Sequence, residues 1–320
     1  MTSLLVLKEH LKAFYAKYSM FVEPALRFLL GMCVYSAMNA NIGYMASLKN
    51  PFVVVLLALV GAAFPWGAMT FLAGCFLLAH IFAVSLEMAF LAAVILLVVG
   101  VLYYGFKPGD SVLLLLTPLA FLIRIPYAIP LLVGLGAGLS SVIPVGCGVL
   151  LYYLMSYVKQ NAGILSGDSA SVDMVQRYSQ VVKSVLLNET MIVMIATCVV
   201  GIVVVYLIRR LSINYAWNVA IAAGCVAQLA TIFIGDFAFS VAIPAGQLLI
   251  GMILSVLLAF VYNFLIFSVD YTRTEYVQYE DDDYYYYVKA VPKMAVSTPD
   301  VKVQKISTRK RGSRSVQNEE

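Results

Sequence analysis

The sequence predicts an all-α polytopic integral membrane protein of about eight transmembrane helices, within a range of about seven to ten. The first observation is composition: of 320 residues, 62% are apolar and 12% are charged, whereas soluble chains are about half apolar and about a quarter charged. The second is a mean hydropathy of +0.91. The third is the apolar tract from 52 to 106, which is too long for one crossing of about 20 residues.

The N-terminal segment 1–20 is predicted to form an amphipathic interfacial helix, because leucines and aromatic residues recur at helical spacing among lysines. A first membrane half follows over 21–158. Its first span is expected over 25–47, and two or three more spans share the tract 52–106.

Prolines and one arginine interrupt the next apolar stretch, 112–158, and leave pieces of about 12 to 15 residues. The interrupting residues are Pro118, Arg124, Pro126, Pro130 and Pro144. Pieces this short do not cross a bilayer singly, so they predict half-helices or a short hairpin. Its non-helical backbone must be buried in protein or line a wet cavity, since lipid offers no hydrogen bonds.

A polar extramembrane insert is predicted over 159–189, with a surface helix over 172–187. The second membrane half, 190–270, then holds three spans. Lys and Arg near the span ends, including Arg209 and Arg210, predict that both termini are cytoplasmic and the insert is outside. A plasma membrane, compatible with a bacterial inner membrane, is the expected location.

The cytoplasmic tail, 271–320, carries 9 Lys and Arg and 8 Asp and Glu in 50 residues. Its first part alternates Tyr-rich stretches with an acidic run, which predicts a hairpin. This hairpin is expected to pack against a partner protein, another copy of the chain or the cytoplasmic face of the body, and otherwise to be disordered. The tyrosines expected to make that contact are Tyr276, Tyr279, Tyr284, Tyr285, Tyr286 and Tyr287. Farther on lies a basic cluster expected to bind anionic lipid, with a plain solubilising tail as the alternative: Lys302, Lys305, Arg309, Lys310, Arg311 and Arg314.

Four ionisable residues inside the apolar body form the candidate intramembrane polar site. A charged side chain at membrane depth is costly unless it is paired, hydrated or near the interface, so each of these residues is a functional candidate. Arg124, beside two prolines, is suited to an anionic group on a substrate, or else it reaches to the interface. His80 and Glu87 share a helix face only if their helix is continuous, and would then relay protons or a cation; otherwise both are structural. Asp236 is the matching carboxylate of the second half, or caps a loop.

Enzymatic chemistry is not predicted. The five cysteines lie in apolar stretches without metal-ligand spacing, so neither a metal nor a cofactor is expected. The glycine run 134–138 has no preceding strand and no following Lys-Ser/Thr, and therefore favours close helix packing over phosphate binding. A net charge of +4 is too small to indicate nucleic acid.

Two functions remain. The first is a permease or transporter, either autonomous or the membrane subunit of an ATPase-driven complex, with its site in the interrupted segments 118–148 and 235–247. The second is a non-transporting scaffold that presents its Tyr-rich tail to an envelope or division partner. Arg124 is the residue expected to distinguish them.

Overall fold

A computed structural model describes residues 2–165, 182–213, 215–239, 241, 243–267, 275–280 and 284–290. Apart from one hairpin, the regular structure in these ranges is helical. The helices are α1 (Thr2–Ile42), α2 (Pro51–Ala63), α3 (Trp66–Phe82), α4 (Leu86–Phe106), α5 (Ser111–Leu122), α6 (Ala128–Gly136), α7 (Val142–Leu165), α8 (Glu189–Arg209), α9 (Ala216–Phe239) and α10 (Ala245–Tyr262). The strands are β1 (Glu275–Glu280) and β2 (Tyr285–Ala290).

Six helical segments in the described ranges are long and apolar enough to cross a membrane. They contain α1, α4, α7, α8, α9 and α10, whereas α2, α3 and α5 are shorter apolar helices. The fold is thus that of an all-α membrane protein, as composition predicts. The predicted interfacial helix and first span are joined in α1, which departs from helical geometry at Tyr18.

Polar caps and prolines set several helix boundaries in the apolar tract. Asn50 caps α2 by accepting the Phe52 N–H at 3.0 Å, and Pro51 supplies the first helical residue. Ser85 caps α4 in the same way, by accepting the Met88 N–H at 3.4 Å. Because Ser85 has extended backbone geometry, α3 and α4 are separate helices.

Polar contacts identify the two ends of the bundle. At the Arg209 end, defined by Asp110, Ser141 and Arg209, the Ser141 hydroxyl donates to the Asp110 carboxylate, and Arg209 binds carbonyl groups of the same connecting region. At the Lys159 end, defined by Asn41, His80 and Lys159, the Lys159 ammonium lies 2.8 Å from Asn41 Oδ1. Helix α7 runs from the Arg209 end to the Lys159 end.

Helices α5 and α6 form a hairpin that starts and finishes at the Arg209 end. Thr117 packs on Gly148, and the ring of Phe121 lies 4.9 Å from that of Tyr152, so α5 runs parallel to α7. Pro130 packs on Gly201, and Gly134 packs on Val205, so α6 runs parallel to α8 and back toward Arg209.

The half-helices predicted over 112–158 are therefore present only in the first part of that stretch, as this hairpin. Pro118 lies inside α5 without ending it, and Pro144 lies in the first turn of α7, which is long and apolar enough to cross. The expectation of short pieces at these two prolines was wrong, because a proline in the first turn of a helix costs no hydrogen bond and α5 tolerates one inside it.

The tail contains the hairpin that its Tyr-rich stretches on either side of the acidic run predict. Strands β1 and β2 are antiparallel, with Glu275 opposite Ala290 and Glu280 opposite Tyr285. The hairpin belongs to a unit made of 1–12 and 269–320, which is separate from 13–268. Within that unit, the acidic residues 281–283 and the basic cluster 302–314 lie outside the described residues. Most of the predicted surface helix over 172–187 lies outside them too.

Candidate functional site at the tip of the hairpin

The tip of the hairpin, residues 123–127, joins the two half-helices inside the apolar body. Arg124 has φ 64°, the left-handed region, while its N–H bonds Phe121 O at 3.1 Å. The next N–H, of Ile125, bonds Ala120 O at 2.8 Å. This pair of bonds is a Schellman motif, which ends α5. It provides hydrogen bonds to carbonyl groups that would have no partner in lipid.

Arginine is a costly residue at this position. Glycine usually takes the left-handed residue of a Schellman motif, because a side chain there adds about 1 kcal/mol of strain. The Arg124 side chain is exposed on the protein surface rather than packed in the core. Arg124 therefore contributes little to packing while straining the backbone, a combination typical of a functional position.

The backbone beyond Arg124 is held against α10. The position of a Cβ on Gly251 would lie 3.1 Å from Arg124 O and 3.2 Å from a ring carbon of Tyr127. Only glycine allows this approach without displacing the tip. Pro126 and Tyr127 are buried, so protein covers the non-helical residues beyond Arg124.

Gln228 on α9 lies beside the hairpin and is not among the four candidate polar residues. The sequence predicts only that its amide bonds to a neighbouring helix, and the described residues contain no such bond. The Gln228 side chain and Pro130, in the first turn of α6, both pack against Gly201 on α8. A Cβ on Gly201 would lie 2.9 Å from Gln228 Cγ and 2.8 Å from Pro130 Cβ. Gln228 is fully buried, and neither polar atom of its amide has a hydrogen-bond partner within the described part of the chain. Such an amide is costly in an apolar interior.

Arg209 fixes the other end of α6. Its guanidinium donates to Leu135 O and, at 2.6 Å, to Ala137 O, which are carbonyls at the C-terminal end of α6. It also lies 4.9 Å from the ring centroid of Tyr206. A cation at a helix C-terminus satisfies free carbonyls and the helix dipole together, so Arg209 anchors the hairpin to α8.

The other three predicted polar residues lie away from the tip. His80 is fully buried at the Lys159 end, where its Nδ1 accepts the Met45 N–H at 3.3 Å and its ring lies 4.6 Å from Phe76. Glu87 is in the first turn of α4. Because α3 ends at Phe82, the continuous helix required for a shared His80–Glu87 face does not exist. Asp236 is exposed near the end of α9.

A separate apolar cavity of about 670 Å³ lies on the opposite flank of the hairpin, between α1, α3, α4, α5 and α7. None of the four predicted polar residues lines it. The tail tyrosines lie on or beside the two strands, and Tyr284, Tyr285 and Tyr287 are 67%, 70% and 76% exposed.

Comparisons with protein-family models, with curated proteins and with solved structures find no match for this chain. A function is therefore inferred from the geometry of the hairpin and its surroundings. No cluster of three or more potential metal ligands is present among the described residues.

Proposed function

We propose that this chain is a permease-like multi-pass membrane protein whose transport site is the tip of the α5–α6 hairpin. The observation that carries the proposal is the meeting of two half-helices within the membrane body at a strained, exposed Arg124. Broken helices of this kind occur in membranes where they line a site or a path for solute. An arginine at the break selects an anionic solute.

The proposed topology has eight crossings and one re-entrant hairpin. Helices α1, α3, α4, α7, α8, α9 and α10 each cross, while α5 and α6 enter and leave from the Arg209 end. Helix α2 has only 13 residues and completes its crossing with the extended residues Phe64 and Pro65 that follow it. The bond of 2.9 Å between Asn263 Nδ2 and Asn218 Oδ1 supports this arrangement, because it ties the end of α10 to the start of α9. Lys107, Arg209 and Arg210 gather at this end, which favours a cytoplasmic orientation in a plasma membrane.

Replacing Arg124 with glycine is expected to separate function from stability. The left-handed residue loses its strain, so the protein becomes more stable by about 1 kcal/mol. Uptake of the anionic solute falls by at least about tenfold, because a charge-assisted hydrogen bond is lost. The measurements are thermal unfolding and uptake of radiolabelled glutamate, succinate, phosphate, glucose and leucine into proteoliposomes. Arg124→Ala is expected to abolish uptake without the gain in stability.

Arg210→Ala is the matched control for Arg124, because Arg210 is also an exposed arginine but lies at the bundle end. It is expected to retain uptake. Wild-type protein that transports none of the anions, or Arg124→Gly protein that transports them normally, would contradict the proposed site. Equal loss of folded protein in Arg124→Gly and Arg124→Ala would identify a structural arginine instead.

The exposed tyrosines of the tail favour one alternative function, that of a scaffold for a cytoplasmic protein. Large amphipathic rings lose little entropy on binding, and three of them are largely exposed around β2. An ATPase that drives transport is one such partner, and its binding to the tail would combine both functions.

Deletion of residues 271–320 tests this alternative. If the function of the chain is to present its tail to a partner, the deletion removes co-purifying cytoplasmic proteins while the body stays monodisperse. Mass spectrometry after mild detergent extraction measures this loss. If the body is an autonomous permease, the shortened protein keeps full uptake in proteoliposomes. Retained uptake together with no lost partner would rule out the scaffold.

A further inference from the structure

From the apolar cavity between α1, α3, α4, α5 and α7, we infer a binding site for one acyl chain of an anionic phospholipid, with the headgroup beside Lys107. This inference requires that the helices stand in a bilayer, and it is independent of transport at the hairpin tip. The cavity volume of about 670 Å³ lies within the range of about 300–1,000 Å³ that is usual for ligand sites.

The walls of the cavity are apolar. Most of its lining is aliphatic, and the polar groups of two lining residues already have partners. The Thr70 hydroxyl lies 3.0 Å from Trp66 O and 3.1 Å from Ser111 O. The Tyr103 hydroxyl donates to Pro108 O. A lining of this kind favours an apolar ligand over water or a polar solute.

The mouth of the cavity faces lipid rather than water. Three lining residues are large and exposed: Phe71 on α3 is 71% exposed, and Leu97 and Tyr104 on α4 are 66% and 78% exposed. Because these exposed lining residues belong to α3 and α4, the cavity reaches the apolar surface of the body at these two helices. A ligand therefore enters from the bilayer, where acyl chains are the most abundant hydrocarbon.

The length of the cavity matches one leaflet. Along α3 the lining runs from Gly67 to Leu78, which is about 16 Å at the helical rise. One leaflet of the hydrocarbon core is about 15 Å thick. The end of the cavity at Gly67 and Pro108 lies at the Arg209 end of the bundle. An acyl chain whose headgroup is at that membrane interface would therefore extend along the whole cavity.

Positive charge at the mouth selects the headgroup. Lys107 precedes the lining residue Pro108, and no acidic group among the described residues forms an ion pair with it. Arg27 lies nearby, 5.4 Å from the Trp66 ring, although Glu23 partly neutralises it. Transfer of a chain from lipid to an apolar cavity gains little, because lipid is equally apolar. Preference among lipids therefore depends on the headgroup, and one lysine near the surface favours an anionic headgroup about fivefold.

The test is photolabelling of the full chain in phosphatidylcholine vesicles that contain a trace of lipid with a photoactivatable acyl chain. The probe is either phosphatidylglycerol or phosphatidylcholine, and labelled residues are mapped by mass spectrometry. We expect label on Leu114, Leu115 and Leu119 of α5, which line the cavity and are 3%, 3% and 9% exposed. The phosphatidylglycerol probe should label them about five times more than the phosphatidylcholine probe.

Matched glycine variants on α4 make the result specific to the cavity. Gly100 lines the cavity, Gly105 does not, and a Cβ at either position meets no atom within 4 Å. Gly100→Leu is therefore expected to fold and to lower labelling of α5 at least fivefold, whereas Gly105→Leu leaves it unchanged. Gly74→Leu is the second filling variant, because a Cβ there makes only an ordinary contact of 3.7 Å with Leu96.

Lysine variants test the headgroup. Lys107→Gln should remove the preference for phosphatidylglycerol, while Lys49→Gln, an exposed lysine that follows the other end of α1, should keep it. Absence of label on α5, equal labelling in Gly100→Leu and wild-type protein, or equal labelling by both lipids would each overturn the inference.

Discussion

Replacing Arg209 with alanine is expected to lower the free energy of unfolding by about 3–5 kcal/mol, because two charge-assisted hydrogen bonds to α6 are lost. The guanidinium binds Leu135 O and Ala137 O, two carbonyls at the C-terminal end of α6, where the helix supplies no further N–H groups. In a protein of this size the loss corresponds to a fall of about 10 °C in Tm. Thermal unfolding in detergent, followed by size-exclusion chromatography, measures it.

The neighbouring arginine is the matched control. Arg210 is exposed, and its guanidinium lies 2.9 Å from the Tyr206 hydroxyl, so Arg210→Ala is expected to change stability by less than about 0.5 kcal/mol. Arg209→Lys should recover part of the loss, since an ammonium can reach one carbonyl but cannot span both. Equal Tm values for Arg209→Ala and Arg210→Ala would show that Arg209 does not anchor the hairpin.

Replacing Gly201 with leucine is expected to have the largest effect, namely loss of the folded protein. Its Cβ would lie 2.8 Å from Pro130 Cβ and 2.9 Å from Gln228 Cγ, so α6 would have to move away from α8 and α9. Overpacking in a dense interior costs about 1–3 kcal/mol even for small additions. We expect no monodisperse peak for Gly201→Leu and a lowered Tm for Gly201→Ala.

Gly246→Leu tests whether any bulky residue at a glycine has this effect. A Cβ on Gly246 meets no atom within 4 Å, so the variant is expected to fold as the wild type does. A Gly201→Leu protein with normal Tm would mean that α6 does not pack on α8 as described.

Composition was sufficient to predict the fold class. Proline spacing predicted the break near Pro126 but also predicted interruptions at Pro118 and Pro144 that the structure does not contain. The length of an apolar segment limits whether it can cross a bilayer, and that limit is readable without tertiary structure. Pro126 likewise indicated a break before α6, because the residue that precedes a proline is disfavoured in helical geometry. Pro130 lies in the first turn of α6, where a helix needs no N–H from it. The alternation of the tail predicted its strand pairing for a similar local reason.

The parts that the sequence did not reveal depend on contacts between distant segments. Gln228 lies 98 positions after Pro130 in the chain, so no local pattern indicates that they meet at Gly201. The return of α6 toward the Arg209 end depends on small residues that allow α6 and α8 to approach, and the cavity depends on five helices together.

The break between His80 and Glu87, by contrast, has a local signal in the sequence. Ser85 followed by an acidic residue two positions later is typical of a helix N-terminus, where a serine side chain accepts a free N–H and a carboxylate favours the dipole. This pattern predicts that a new helix begins after Ser85. It therefore places His80 and Glu87 on separate helices, so the continuous helix that the proton or cation relay required is absent.

Cysteine labelling in oriented vesicles tests the central claim, the re-entrant hairpin, most directly. In a background without the five native cysteines, Gly109→Cys and Ser140→Cys place thiols at exposed positions just outside α5 and α6, and Lys49→Cys places one at the other end of the bundle. A membrane-impermeant maleimide is predicted to react with positions 109 and 140 from one side only, and with position 49 from the opposite side. Reaction of positions 109 and 140 from opposite sides would mean that this segment crosses the membrane once, and would contradict the hairpin on which the proposed function depends.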